Sequence, residues 1–230
     1  LESTGGLEMP VVVELHMAGL PVAVVNPSRV RQFAKSINVW GKTDRIDAFL
    51  LARFGGMTHP ELYLMPTEEE KALAELVTRR RQLLEMRTME KNRSKTAPVS
   101  IESSIQWMIE VITDQVKEIN QKIVDLIQTI PVFRQKDKIL RSIPGVGFIV
   151  SATLLAELPE LGRLTNKQIA SLAGLAPFNN DSGSPRGKRR IRGGRTALRS
   201  VLFMAAMTAI RNNPLISSFY QRLLTKGKVK

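Results

Sequence analysis

The chain contains no cysteine, which excludes disulfides, thiolate metal sites and cysteine nucleophiles. Its two histidines, His16 and His59, are too few for a histidine-based zinc centre. No apolar run approaches the roughly 20 residues that a membrane span needs, and the opening residues lack the layout of a cleaved leader. A soluble, cytoplasmic protein with no membrane partner is the expectation. An initiator methionine is also missing: the chain opens LESTGG, as a fragment that begins inside a domain would.

Acid is missing from one end only. Residues 182–230 hold twelve Lys or Arg and no Asp or Glu, whereas residues 1–181 hold 22 Lys or Arg and all 21 acids. The formal net charge of +13 therefore sits almost wholly in the last fifth of the chain. A field of one sign confined to one segment points to a polyanionic partner. A solvated basic tail is the plain alternative, but the same segment contains ALRSVLFMAAMTAI, an apolar helical pattern that packs rather than floats. No aromatic residue interleaves with the basic run, so stacking on single-stranded bases is not the expected contact.

What is present is enough for a core: 230 residues, 43% of them hydrophobic, suffice for one large domain or two small ones. Residues 8–20 have helical spacing and end at Gly19, a natural C-cap glycine. PVAVVNP reads as a buried strand between prolines. SRVRQFAKS reads as a helix with Ser28 as N-cap, and KTDRIDAFLLARF as another that stops at Gly55 and Gly56. Helix, strand, helix in this order suggests the end of an α/β unit over residues 1–60. A capping box, Thr67 to Glu70, then opens a long helix with an apolar stripe through Leu73, Leu76, Val77, Leu83, Leu84 and Met86. After a break at Pro98, Ile105, Met108, Ile109, Ile112, Val116, Ile119, Ile123 and Leu126 recur at three and four. The two helices make an antiparallel arm over residues 61–135. The stripe alone leaves open whether the arm closes on itself or on a second copy. Residues 136–230 read as a helical domain, and no internal repeat is visible.

Three stretches can carry chemistry. The turn IPGVG, with Ser151 four residues past Gly147, matches the helix-hairpin-helix pattern, except that the pattern has alanine where this chain has serine. In such a turn Gly145 and Gly147 let backbone amides approach a phosphate; a glycine turn between packed helices is the structural alternative. The run DSGSPRGKRRIRGGRTALR places seven Lys or Arg among the fourteen residues from Arg186 to Arg199, including Lys188, Arg189, Arg190, Arg192 and Arg195. Clusters of this kind bind phosphates with strong salt dependence. Ser182 precedes them, where a hydroxyl beside guanidinium groups could attack a phosphodiester. Finally, Asp44 and Asp47 share one face of a helix, and Glu2 lies beside STGG. Carboxylates can hold paired Mg²⁺ ions for phosphoryl transfer, yet Asp in a first turn is also an ordinary partner of the helix dipole.

Together these stretches resemble the bacterial insertion-sequence transposases with a DEDD-type, RuvC-like domain, a family that includes the pilin-gene invertases and the bridge-RNA-guided recombinases. LESTGG resembles the family's Glu motif, VVNP its following strand and KTDRIDA its paired-Asp motif. IPGVGFIVSATLLAELPELG, LAGLAP, DSGSPRGKRRIRGGR and LRSVLFMAAM resemble successive signatures of its C-terminal domain. The resemblance implies a mostly α fold: a truncated α/β RuvC-like (RNase H-like) remnant, the antiparallel arm, then a helical domain with a helix-hairpin-helix. It implies that Glu2, Asp44 and Asp47 are three of four Mg²⁺-binding acids in a two-metal site, the fourth lying upstream of Leu1. It makes Ser182 the nucleophile, followed by a DNA-binding stretch that includes Arg186, Lys188, Arg189, Arg190 and Arg192. DNA is the implied partner, a structured guide RNA is implied for some members, and the arm suits a homo-oligomer. The remaining alternatives are a RuvC-like structure-selective nuclease and a non-catalytic helix-hairpin-helix module that only binds nucleic acid.

Overall fold

Local capping chemistry sets the ends of most helices in the computed structural model, which describes residues 1–179 and 189–228. These residues divide into two units, Leu1–Met65 and one that begins at Pro66. In the first, α1 (Met9–Met17) stops at Gly19, whose φ of 72° lets its N–H reach the His16 carbonyl while the Leu20 N–H reaches that of Leu15. Helix α2 (Pro27–Ser36) is capped by Asn26, whose side chain accepts from the Ser28 N–H at 2.8 Å. The expected cap, Ser28, is already inside the helix, because Pro27 lacks an N–H and suits the first helical position. Helix α3 (Asp44–Thr58) starts at the Thr43 cap and runs through Gly55 and Gly56 rather than ending there. It turns at His59, with φ 42°. Two glycines cost about 1 kcal/mol each in a helix, too little to end one whose Phe54 is buried.

The segment expected as a strand is extended and buries Val22 and Val25, but it forms only one parallel bridge, Glu2 to Val25. Ser3 N–H donates to the Val25 carbonyl and Val25 N–H to the Leu1 carbonyl, each at 2.9 Å, while Tyr63 N–H reaches Val22 on the other side at 2.7 Å. Residues 1–3 and Tyr63 are too short a pair of neighbours to build a ladder. Among its described residues this unit therefore has no sheet, and the α/β layering expected for it is not seen. Its core is Val25, Val30, Ala34, Leu50 and Phe54, with Phe33 edge-on to Phe54 at 5.6 Å between ring centroids.

In the second unit, α4 (Glu68–Ser94) opens with the capping box: Thr67 N–H donates to Glu70, and Glu70 N–H to Thr67 Oγ1. Helix α5 (Val99–Thr129) starts directly after Pro98 and returns antiparallel. Leu83 packs with Ile112 and Val116 along the arm. Nearer its base, Leu73 and Val77 meet Ile123 and Ile127. The arm thus closes on itself, and its base joins the core of α6 (Pro131–Arg141), α7 (Phe148–Glu157) and α9 (Thr196–Asn212) through Phe133, Leu140, Leu154, Leu155 and Leu198. Each such side chain contributes about 1.5–3 kcal/mol on burial. Between α7 and α9 lie α8 (Asn166–Leu172), β1 (Pro177–Phe178) and β2 (Arg190–Ile191); α10 (Pro214–Thr225) follows, capped by Asn213. No helix among the described residues is long and apolar enough to cross a membrane.

Candidate functional site

In the first unit Glu2 and Asp47 line one pocket of about 270 Å³, with Ser28, Arg31, Lys42 and Leu50. The bridge to Val25 positions Glu2, and the first turn of α3 positions Asp47, whose N–H bonds the Thr43 carbonyl at 2.9 Å. Asp44, at the start of the same turn, is exposed and outside the lining, so the structure brings two of the three expected acids together. Arg31 braces one wall by donating to the Trp40 and Gly41 carbonyls at 2.8 and 3.2 Å. Among the described residues no three His, Asp or Glu side chains gather as a metal-holding group. Two carboxylates nevertheless match the chemistry of Mg²⁺, which commonly takes one or two protein carboxylates and completes its shell with water and substrate phosphate.

A carboxylate not anticipated from the sequence holds the loop that follows Glu2. Glu8 accepts from Thr4 N–H at 3.0 Å, Thr4 Oγ1 at 2.9 Å and Gly6 N–H at 2.8 Å. Hydrogen bonds from its own backbone N–H and from that of Thr4 hold its carboxyl at about 2. Successive amides around glycines of positive φ form a natural anion nest, and TGG followed by an acid is the signal that could have disclosed it.

In the α6–α7 turn the two glycines do different work. Gly145, at φ 104°, lies so close to α9 that a Cβ would come within 2.6 Å of Ala209 Cβ, and Asn213 bonds the adjacent Pro144 carbonyl at 3.3 Å. Its conformation therefore serves helix packing. Gly147 is exposed, has nothing within 4 Å of where a Cβ would sit, and starts α7 with no side-chain cap on its first amides. Ser151 is fully buried and donates to Asp137 Oδ1 at 2.6 Å, tying α7 to α6. Arg141 approaches the other Asp137 oxygen at 3.6 Å.

The basic run is anchored at both ends. Pro177 pairs with Ile191 and Phe178 with Arg190 in an antiparallel ribbon. Behind it Gly194 crosses Gly174 so closely that a Cβ on Gly194 would lie 2.3 Å from the Gly174 backbone. Arg195 donates to both Glu160 oxygens at 2.7 and 2.6 Å and to the Glu157 carbonyl at 2.7 Å. The bond to Arg195 lowers the Glu160 carboxyl, and the same bond raises Arg195. The guanidinium grouped with the phosphate contacts in the sequence is thus engaged inside the fold. Arg199 Nη1 bonds the Gly193 and Gly174 carbonyls at 3.2 and 3.3 Å. Arg189, Arg190 and Arg192 are exposed. Ser182, Arg186 and Lys188 lie outside the described residues.

Residues 137–221 match the family model described as Transposase IS116/IS110/IS902 family, and residues 1–97 match a DEDD-type IS110 model described as Transposase. Both descriptions name one class, the transposases. Within it, the chain belongs to the IS110/IS116 family. It is 31% identical over 213 residues to the pilin gene-inverting protein of Moraxella bovis, covering 91% of this chain and 66% of that protein. The pilin gene-inverting protein of Moraxella lacunata matches to the same extent. Over 92 residues the chain is 35% identical to the insertion element IS110 uncharacterized 43.6 kDa protein of Streptomyces coelicolor, covering 39% of this chain and 23% of that protein. The chain thus spans 66% of the length of the pilin gene-inverting proteins it matches.

Proposed function

We propose that this chain belongs to a DNA transposase or site-specific recombinase in which Ser182 attacks a DNA phosphodiester and the acids of the first unit bind Mg²⁺. One arrangement carries the reading. The β1–β2 ribbon and the Gly174–Gly194 crossing bring the two ends of the Ser182 segment together, next to the exposed Arg190 and Arg192.

In this reading the Ser182 oxygen bonds to phosphorus as the bond from phosphorus to a strand oxygen breaks, and the departing strand takes up a proton as a hydroxyl. Attack on the phosphoserine by a hydroxyl of another strand restores the serine and rejoins DNA. Arg190 and Arg192 supply guanidinium groups that steady the phosphoryl charge. Glu2 and Asp47, with Asp44 from the same turn, would hold Mg²⁺, which would supply charge neutralisation for a DNA phosphate. Gly147 and the first amides of α7 approach a phosphate as a helix-hairpin-helix does.

Residues 1–60 then represent the end of a RuvC-like domain, residues 61–135 the arm and residues 136–230 the serine-bearing domain. Met86, Met89, Trp107 and Val111 are exposed on the arm and suit contact with a second copy. Strand exchange by the natural gene product provides the test. Ser182→Ala abolishes it while leaving DNA binding within about twofold, and Asp47→Asn does the same; undiminished exchange in the serine variant removes Ser182 from the mechanism.

A further inference from the structure

Residues 39–43 connect α2 to α3 without regular structure, yet their backbone is held at both ends and in the middle. Val39 N–H donates to the Ala34 carbonyl at 2.9 Å, and Thr43 Oγ1 accepts from Ile46 N–H at 3.3 Å. Between them Arg31 donates to the carbonyls of Trp40 and Gly41 at 2.8 and 3.2 Å. Gly41 lies against α3, where a Cβ on it would come within 3.1 Å of Ile46 Cδ1. Side chains carried by this segment therefore start from a fixed backbone.

Two of those side chains take no part in the bracing. Trp40 is 66% exposed, and among the described residues its ring pairs with no other aromatic ring and lies under no cation. Scattered exposed apolar side chains are ordinary, but this one sits two residues from a charged pocket. Lys42 is also exposed, lines the pocket of Glu2 and Asp47, and makes no hydrogen bond or ion pair among the described residues. The other cation of that lining, Arg31, is committed to the two carbonyls. Lys42 is the cation left to meet a ligand.

The charges of the lining narrow what that ligand is. Glu2 and Asp47 offset Arg31 and Lys42, so the pocket attracts a small free anion only weakly. A divalent cation on the acids would leave a surplus of positive charge, and a flat apolar group on the anion would add contact with Trp40. Two residues of extended chain span about 7 Å, so the indole and the ammonium reach adjoining parts of one molecule. An acidic peptide would use Lys42 and leave the indole idle, whereas a nucleotide uses both.

We propose that Trp40 and Lys42 form a subsite for one unpaired nucleotide at the edge of the acid pocket. The Trp40 ring stacks on the base, and the Lys42 ammonium meets its phosphate. Every base has a face to stack, so the subsite selects unpaired strands over duplex rather than one sequence over another. The inference rests on the proposal that the chain acts on nucleic acid at the Glu2–Asp47 pocket, and the experiment separates the two.

Trp107→Phe leaves Trp40 as the remaining tryptophan. On this background the whole chain is titrated with labelled oligo-dT and oligo-rU of about 10 nucleotides and with a duplex of the same length, in Mg²⁺ and in EDTA. Tryptophan emission reports the subsite, and anisotropy of the label reports total binding. Single strands quench Trp40 and the duplex does not, more strongly in Mg²⁺ than in EDTA. Trp40→Ala lowers single-strand affinity about tenfold with an unchanged salt slope, and Trp40→Phe recovers most of the loss. Lys42→Gln instead shrinks the log–log salt slope by about 0.7, the loss of one phosphate contact on a single strand. Both side chains are exposed, so the melting temperature stays the same in each variant.

Quenching by only one of the two strands identifies DNA or RNA as the occupant, and quenching by both identifies their shared chemistry. Equal quenching in both buffers keeps the subsite and removes the metal from it. If single strands bind without quenching and with full affinity in the Trp40 and Lys42 variants, the subsite is wrong and nucleic-acid binding elsewhere on the chain stands. Equal quenching by duplex also overturns it. No binding of any strand by the parent overturns both readings, and emission that shifts blue with chain concentration but ignores nucleic acid assigns Trp40 to contact with a second copy.

Discussion

The two regions that carry the candidate chemistry are held in opposite ways. Around Glu2 and Asp47 the backbone is tied by one parallel bridge, one carboxylate nest at Glu8 and one arginine brace at Arg31, and the glycines of α3 touch nothing. Around the Ser182 segment the backbone is tied by a ribbon, a glycine-on-glycine crossing and an Arg195–Glu160 fork. Under the proposed function, the difference suits what each would position. Carboxylates that meet a hydrated cation work from a pocket wall with water completing the shell, whereas a nucleophile must arrive at phosphorus in line and within contact distance. On that reading, the long-range ties are concentrated where placement would matter most.

Breaking the tightest tie should have the largest effect. Gly194→Ala places a Cβ 2.3 Å from the Gly174 backbone at φ 76°, and should cost about 3 kcal/mol or more in denaturant unfolding, or prevent folding. Its neighbour Gly193, at φ 71° but with nothing within 4 Å, isolates the conformational strain alone. Gly193→Ala should cost about 1 kcal/mol. Equal effects at the two positions would mean that the crossing contributes nothing beyond backbone strain.

Ser151→Ala restores the small residue usual in a helix-hairpin-helix but leaves a buried Asp137 oxygen without its donor. The expected loss is about 1–3 kcal/mol by the same measurement. Glu160→Gln should cost about 1 kcal/mol at neutral pH, a value reduced because both partners of the pair remain about a third exposed. The folded Glu160 carboxyl lies below its ordinary 4.5, so this contribution is fully present above that value and is lost as pH falls through the lower folded one. The variant should therefore differ from the parent at pH 7 and converge with it in acid. The smallest effect has the opposite sign. Gly55→Ala and Gly56→Ala lie in helical backbone with open space beside them, and each should stabilise the protein by about 0.5–1 kcal/mol.

Legibility in the sequence followed the range of the interaction. The Thr67–Glu70 box, the apolar stripes of α4 and α5 and the Gly19 stop are written within a few residues, and the structure contains them, except that Met86 and Met108 of the stripes are exposed. PVAVVNP forms one bridge rather than a strand because propensity and burial are local, whereas a ladder needs a partner of sufficient length. Ser28 yields the cap to Asn26 because Pro27 occupies the first helical position, which it favours. The Arg195–Glu160 fork joins residues 35 apart, with nothing nearby to distinguish Arg195 from the other arginines of the run. Likewise, only the packing of α9 shows that Gly145 is filled by Ala209 while Gly147 stays open. Asp44 and Asp47 share a helical face by spacing, yet the pocket takes Asp47 and leaves Asp44 in solvent.

The central claim is that the anchored loop presents a serine that becomes covalently joined to DNA. The direct test incubates the natural gene product with Mg²⁺ and a nicked recombination substrate, quenches with denaturant and maps any protein–DNA adduct by peptide mass spectrometry. The account predicts an adduct on the peptide containing Ser182, absent from Ser182→Ala. Strand exchange with no adduct, or an adduct that persists in the variant, would contradict it.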